Sequence, residues 1–194
     1  MSTSSDLYSF AFRGLLTENA LDSTPRIDRL SLTSNIDHDV ARRLPIELIE
    51  EDLVCRAKRM ATVYIAITAF ENTVRDFVST RLLEEIGEDW WKKSVSDKIR
   101  SRAESRQTEE EKVRWHAPRG DDPLNYTEFG DLAAIVGQNW GLFENHLESQ
   151  DWVRQIIATL ERSRNVIMHS GELGLQDIER IGTAIRDWIR QVGA

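Results

Sequence analysis

Between Pro45 and Gly87 the chain contains no glycine and no proline, and within that span Met60, Val63, Ile67, Phe70, Val74 and Phe77 recur at steps of three and four. Residues so spaced lie on one face of an α-helix, and nothing inside the span can stop one. Pro45 suits a first helical turn, and Glu47, Glu50 and Glu51 favour its positive end. The spacing therefore predicts one long helix over about residues 45–86, with an apolar stripe that must be covered by the rest of the chain.

The remaining segments are also helical. "DWWKKSVSDKIRSRAESR" reads as a basic helix, and "HAPRGDDPLN" as a loop. Thr127 is the expected cap of a helix reaching about Val136, and "NWGLFENHL" reads as a short helical piece. Trp152, Ile156, Leu160 and Ile167 mark a helix over about residues 150–169, stopped by Ser170-Gly171. Ile178, Ile181, Ile185, Trp188 and Val192 share one face of a last helix over about 175–192. The glycines bracketing its short connection to the preceding helix, Gly171 and Gly174, make these two helices antiparallel neighbours. No segment alternates with period two, so the fold class is all-α, a bundle of four to five main helices. Residues 1–44 are expected to form a partly ordered N-terminal extension in which "LYSFAFRGLL" docks on the domain, ahead of a helical domain over 45–194.

Charge and cysteine content narrow the function classes. A net charge of −8 argues against a chain held to nucleic acid by overall charge, while leaving room for a local basic patch. Cys55 is the only cysteine, and His38, His116, His146 and His169 show no paired ligand spacing, so no metal site is expected. There is no Gly-rich phosphate loop and no nucleophilic Ser or Cys motif, and no cofactor is implied. The longest strongly apolar run, "VYIAITAF", is too short to span a bilayer, and "MSTSSDLYSFAF" lacks the features of a signal peptide, so a cytoplasmic location is expected.

One stretch holds polar residues where chemistry can be built: "LERSRNVIMHSGELG", Leu160 to Gly174. Asn165 and His169 are four apart and share a helical face, with Arg164 turned by about 100° from Asn165, at the edge of the apolar stripe. His169 falls on the last turn, where free carbonyl groups and the negative end of the helix dipole meet a positive charge. Asn, His and Gly also serve helix C-termini as plain caps. A second polar residue sits oddly: Glu71 lies about 40° from Ile67, inside the apolar face of the long helix. A carboxylate there needs a partner. Arg164 is the first candidate, and Arg75, one turn along from Glu71, is the local alternative.

The basic segment offers Lys92, Lys93, Lys98, Arg100 and Arg102, with Arg162 near the motif, as candidate RNA contacts. Trp90 and Trp91 are candidate stacking platforms there. The plainer reading is a solvated helix face with its aromatics in the core. Trp140, Trp152 and Trp188 read as core, Tyr126 and Phe129 as residues packing the loop onto the bundle, and His38, His116 and His146 as surface or capping residues.

Arg164-Asn165 followed by His169 near the end of the penultimate helix, with "AFENTVRDF" on the long helix, resembles a HEPN domain, the helical superfamily whose members often carry an Arg, four to six residues, then a His. It is most similar to the Swt-type branch, over about residues 45–192. The resemblance implies a metal-independent ribonuclease acting as a homodimer. His169 would be the acid/base, Arg164 would stabilise phosphate charge through its planar fork, and Asn165 would orient His169 or bind phosphate. Glu71 would support Arg164. One His and one Arg do not comfortably fill the roles of base, acid and charge stabiliser, whereas two copies about a two-fold axis do. RNA is then the substrate, and a toxin-like or host-defence role with an antitoxin or regulatory partner follows by analogy. Two other readings stay open: a non-catalytic dimerisation or nucleotide-binding module of the same type, and a plain helical scaffold in which His169 is a lone cap.

Overall fold

The computed structural model describes residues 40, 43–113 and 115–193. The N-terminal cluster "LYSFAFRGLL" and His38 lie outside the described residues. The chain divides into two compact units, Met1–Val54 and Cys55–Ala194. Six α-helices are described: α1 Glu51–Ile86, α2 Trp90–Ser94, α3 Asp97–Glu111, α4 Phe129–Gln138, α5 Gln150–Met168 and α6 Leu175–Val192. Among the described residues there is no strand, and no helix is long and apolar enough to cross a membrane. The expected all-α bundle is what forms, with five helices of ten residues or more.

The long helix begins later than its composition suggests. Pro45 leads into a separate 3-10 turn, Ile46–Leu48, and Ile49 is extended, with φ −98° and ψ 144°. The break shifts the helix start to Glu51, so Glu51 and Asp52, not Glu47, occupy its first turn. Met60, Val63, Ile67, Phe70 and Val74 are buried as the spacing requires, but the stripe then continues through Val78 and Leu82. Phe77 packs partly buried beside it. Against this stripe lie Leu132, Ile135 and Val136 of α4, Val153, Ile157 and Leu160 of α5, and Ile181 and Trp188 of α6.

Trp188 is the hub of the aromatic core, meeting Phe70 edge-on at 5.7 Å and Phe77 at 6.1 Å. Trp152, near the start of α5, stacks on Trp188, near the end of α6, at 5.5 Å and 6°. Start against end makes the two helices antiparallel, as their short connection requires. Trp152 and Trp140 are only partly buried. Trp90 is buried and Trp91 packs edge-on against it at 5.7 Å, which removes the pair as a stacking platform.

The basic segment is two helices. Val95 is buried and extended, and the chain restarts at Asp97 after Ser96. Arg100 reaches back to the Val95 carbonyl at 3.1 Å. Thr127 does not cap α4. Its hydroxyl turns inward to the Leu124 carbonyl at 2.7 Å, closing the 3-10 turn Pro123–Tyr126. The cap position passes to Glu128, whose N–H is held by the Asp131 carboxylate at 3.0 Å. "NWGLFENHL" contains only a 3-10 turn, Trp140–Leu142.

Candidate functional site

α5 is capped at its start by Ser149, whose hydroxyl accepts from the Trp152 N–H at 3.1 Å. Its rotation is fixed further along by Glu161, whose carboxylate accepts from the Gly130 N–H at 3.0 Å, at the positive end of α4. With that face set inward, Ser163 is the last buried residue of α5. Beyond it Arg164 and Ile167 are half-buried, and Asn165, Val166, Met168 and His169 are exposed. The motif thus occupies the end of α5 that emerges from the core.

The helix ends in a Schellman arrangement. His169 is the cap residue, the Ser170 N–H donates to the Ile167 carbonyl at 2.9 Å, and the Gly171 N–H donates to the Val166 carbonyl at 2.8 Å. The left-handed position is held by Ser170, at φ 60°, not by a glycine. Gly171 is needed for room: a Cβ there would meet the Val166 carbonyl oxygen at 2.8 Å. The connection to α6 is tied to α1 by the Leu173 N–H on the Met60 sulfur at 3.3 Å and by an Arg56–Glu172 ion pair at 3.4 Å. These contacts fix the backbone that carries His169.

Behind the motif lies a buried charge network. Glu71 is 7% exposed and Arg75 8%. Both partners expected for Glu71 are used. Arg164 Nη1 donates to its Oε2 at 2.6 Å, and Arg75 Nη2 donates to its Oε1 at 2.6 Å. Arg75 also donates through Nη1 to the Leu124 carbonyl and to the Thr127 hydroxyl at 2.9 Å, and through Nη2 to the Thr127 carbonyl at 3.0 Å. One carboxylate therefore sits between two guanidiniums, and the inner one is locked to the loop before α4. The Arg164 side chain keeps 24% exposure. Among the described residues its other nitrogens make no hydrogen bond, and none of them is buried without one. Such a half-used fork, held rigidly, can meet an anion.

Two depressions meet at Asn165. A cleft of 620 Å³ is lined by Tyr64, Thr68 and Asn72 of α1, Asn125 of the loop, the Glu71–Arg75 pair, Arg164 and Asn165. A shallower groove of 500 Å³ runs over Glu161, Arg162, Asn165 and His169. Glu71, Arg164 and Asn165 thus share the cleft, while Arg162, Asn165 and His169 share the groove. Asn165 and His169 line one groove and are joined through the backbone, the His169 N–H donating to the Asn165 carbonyl at 3.1 Å, but among the described residues no side-chain hydrogen bond joins them or occupies the imidazole.

Lys92, Lys93, Lys98, Arg100 and Arg102 line neither depression. Arg100 pairs with Asp97, and Arg102 with the capping Asp131. Lys93 pairs with Asp89 at 3.5 Å, and Lys92 and Lys98 are exposed. His116 is exposed, with Nδ1 2.9 Å from the Ala117 carbonyl, and His146 is half-buried edge-on to Phe77. Among the described residues no three His, Cys, Asp or Glu side chains converge as metal ligands would.

Arg75 is the residue the sequence undervalued. Its signal was present: Tyr64, Thr68, Glu71 and Arg75 recur at steps of three and four, a polar stripe running beside the apolar one. Asn125 has no such pattern, because its place depends on how the loop folds back.

A family model for Swt1-like HEPN domains matches residues 66–193. No curated protein and no solved structure matches the chain at a significant level.

Proposed function

The chain belongs to the Swt1-like HEPN family, and from that premise we infer that it is a metal-independent endoribonuclease whose active site is completed by a second copy of itself. The observation that carries this reading is the pairing of Arg164 with the buried Glu71, beside an exposed Asn165 and His169 on the emergent end of α5. Glu71 fixes the guanidinium in place before substrate arrives, which is what electrostatic catalysis requires of a charge stabiliser. RNA brings its own nucleophile, the ribose 2′-OH. His169 of one copy removes that proton, and His169 of the other donates a proton to the departing 5′-oxygen. Arg164 compensates the charge that develops on the phosphorane, and Asn165 orients the imidazole or holds a phosphate oxygen.

Within one chain the His169 imidazole has no partner among the described residues, as a site finished across a two-fold axis needs. Exposed apolar side chains flank it, Met168 at 61% and Leu175 at 79%, and they suit a self-association surface. A nuclease of this kind fits a toxin-like or host-defence role, restrained by an antitoxin or regulatory protein.

The chemistry predicts a 2′,3′-cyclic phosphate and a 5′-OH end. Incubating the protein in EDTA with an RNA carrying a single 2′-deoxy nucleotide at a cut site tests it. Cleavage should vanish at that site alone, and continued cutting there would rule out attack by the 2′-OH. A dimer that binds nucleotides yet never cuts RNA would instead identify the non-catalytic module.

A further inference from the structure

The cleft beside Arg164 has a chemical character distinct from the motif. Tyr64, Thr68 and Asn72 follow one another at steps of four along α1 and form a ladder on one wall. Asn125 faces them from the loop, and Arg164 and Asn165 close the end nearest the motif. The ionised residues lining it are paired: Glu71 with Arg75 and Arg164, Glu128 with Arg106, and Arg119 with Glu110. Apart from the outward nitrogens of Arg164, at the end nearest the motif, what is left free is neutral. Among the described residues, the Tyr64 hydroxyl, the Thr68 hydroxyl and the amides of Asn72 and Asn125 make no side-chain hydrogen bond.

A wall of amides and hydroxyls with one aromatic ring does not match a phosphate, which calls for cations. It matches a nucleobase, whose edge pairs a donor with an acceptor and whose face stacks on an aromatic ring. Carboxamides are the side chains that can meet such an edge with a donor and an acceptor at once. The volume, 620 Å³, lies in the range of small-ligand clefts. Asn165 lines both this cleft and the groove that holds His169, so a strand with its phosphate at Arg164 would lay an adjoining base into the cleft.

We propose that this cleft is a base-recognition subsite, in which Tyr64 stacks on the nucleobase next to the scissile phosphate and Asn72 and Asn125 read its edge. The subsite rests on the ribonuclease reading for its place beside the scissile phosphate, but its binding chemistry is separable. Asn72 is exposed on α1, so Asn72→Asp exchanges amide donors for acceptors without disturbing the core.

The test titrates the four nucleoside 3′-monophosphates into the full-length protein by calorimetry, beside Asn72→Asp, Asn125→Ala and Tyr64→Ala, each checked by circular dichroism. The wild type should prefer one base over the least favoured by about tenfold or more, the discrimination of one good bidentate contact. Asn72→Asp should reorder the ranking, Asn125→Ala should flatten it, and Tyr64→Ala should weaken all four by about tenfold. Equal binding of all four bases by the wild type, no binding of any, or a ranking untouched by Asn72→Asp and Asn125→Ala would each overturn the subsite. Base-selective binding by a protein that never cuts RNA would support the subsite while removing the nuclease. Cleavage whose base preference survives both asparagine variants would do the reverse.

Discussion

Glu71 decides how the site tolerates change, because each of its oxygens has its own guanidinium. If Arg164 were its only partner, Arg164→Ala would strand a carboxylate in the core. With Arg75 still in place it does not, and the partly exposed Arg164 pair should contribute only about 1 kcal/mol. Arg75→Ala is the damaging change. It removes a buried partner of Glu71 and the guanidinium that holds the Thr127 carbonyl and hydroxyl, so it should cost about 3–5 kcal/mol. Urea denaturation of the two variants orders them, and an equal loss would contradict the two-sided arrangement. The need for a partner was legible from the helical position of Glu71 alone. That both candidates bind at once was not, since spacing gives directions and not which oxygen is taken. Ser170 offers an independent check: at φ 60° it sits where glycine is easier, so Ser170→Gly should raise stability by about 1 kcal/mol. Gly171→Ala should lower it, because of the Val166 carbonyl.

At the scale of elements, α5 and α6 were legible almost to the residue, because their apolar spacing and terminal signals agree. The misplacements lie where a local turn competes with the helix pattern: the 3-10 turn after Pro45, the extended Val95, and Thr127 drawn into the turn before α4. The ion pairs of the basic face lay outside the sequence pattern for a related reason. Arg102 and Arg106 are matched to Asp131 and Glu128 across the start of α4, and a single-helix reading cannot see partners on another element. The loop before α4 is held by Arg75, by the Arg106 contact to the Tyr126 carbonyl at 2.8 Å, and by the Tyr126 hydroxyl donating to the Gly120 carbonyl at 3.1 Å. In Arg75→Ala, amide exchange should therefore rise at Leu124 to Phe129 while the interior of α5 keeps its protection. Uniform acceleration would show global loss instead. Burial pushes the Tyr126 hydroxyl above its ordinary value of 10.0, and the carboxylates of Glu110 and Glu111 push the same way. The protonated form is thus favoured by folding. Its contribution is complete below about pH 10, the unfolded value, and is lost as the pH rises through the higher folded one. Alkaline titration followed by tyrosinate absorbance checks the direction.

At the scale of the whole molecule, the family and the all-helical bundle follow from the pattern of the chain, whereas the proposed site needs two chains. Light scattering at tens of micromolar should give a dimer, an ordinary affinity for such association. Leu175→Glu, which puts a charge on the exposed apolar surface beside the motif, should shift it to monomer and silence cleavage together. Loss of activity from a variant that stays dimeric would separate the two. The most direct measurement is the rate of RNA cleavage in EDTA by the wild type and by His169→Ala, the variant verified as folded. His169 is exposed and its cap contacts are made by the backbone, so the substitution leaves the helix end intact. The account predicts that the wild type cuts and His169→Ala does not. A folded His169→Ala that cuts at the wild-type rate would contradict it.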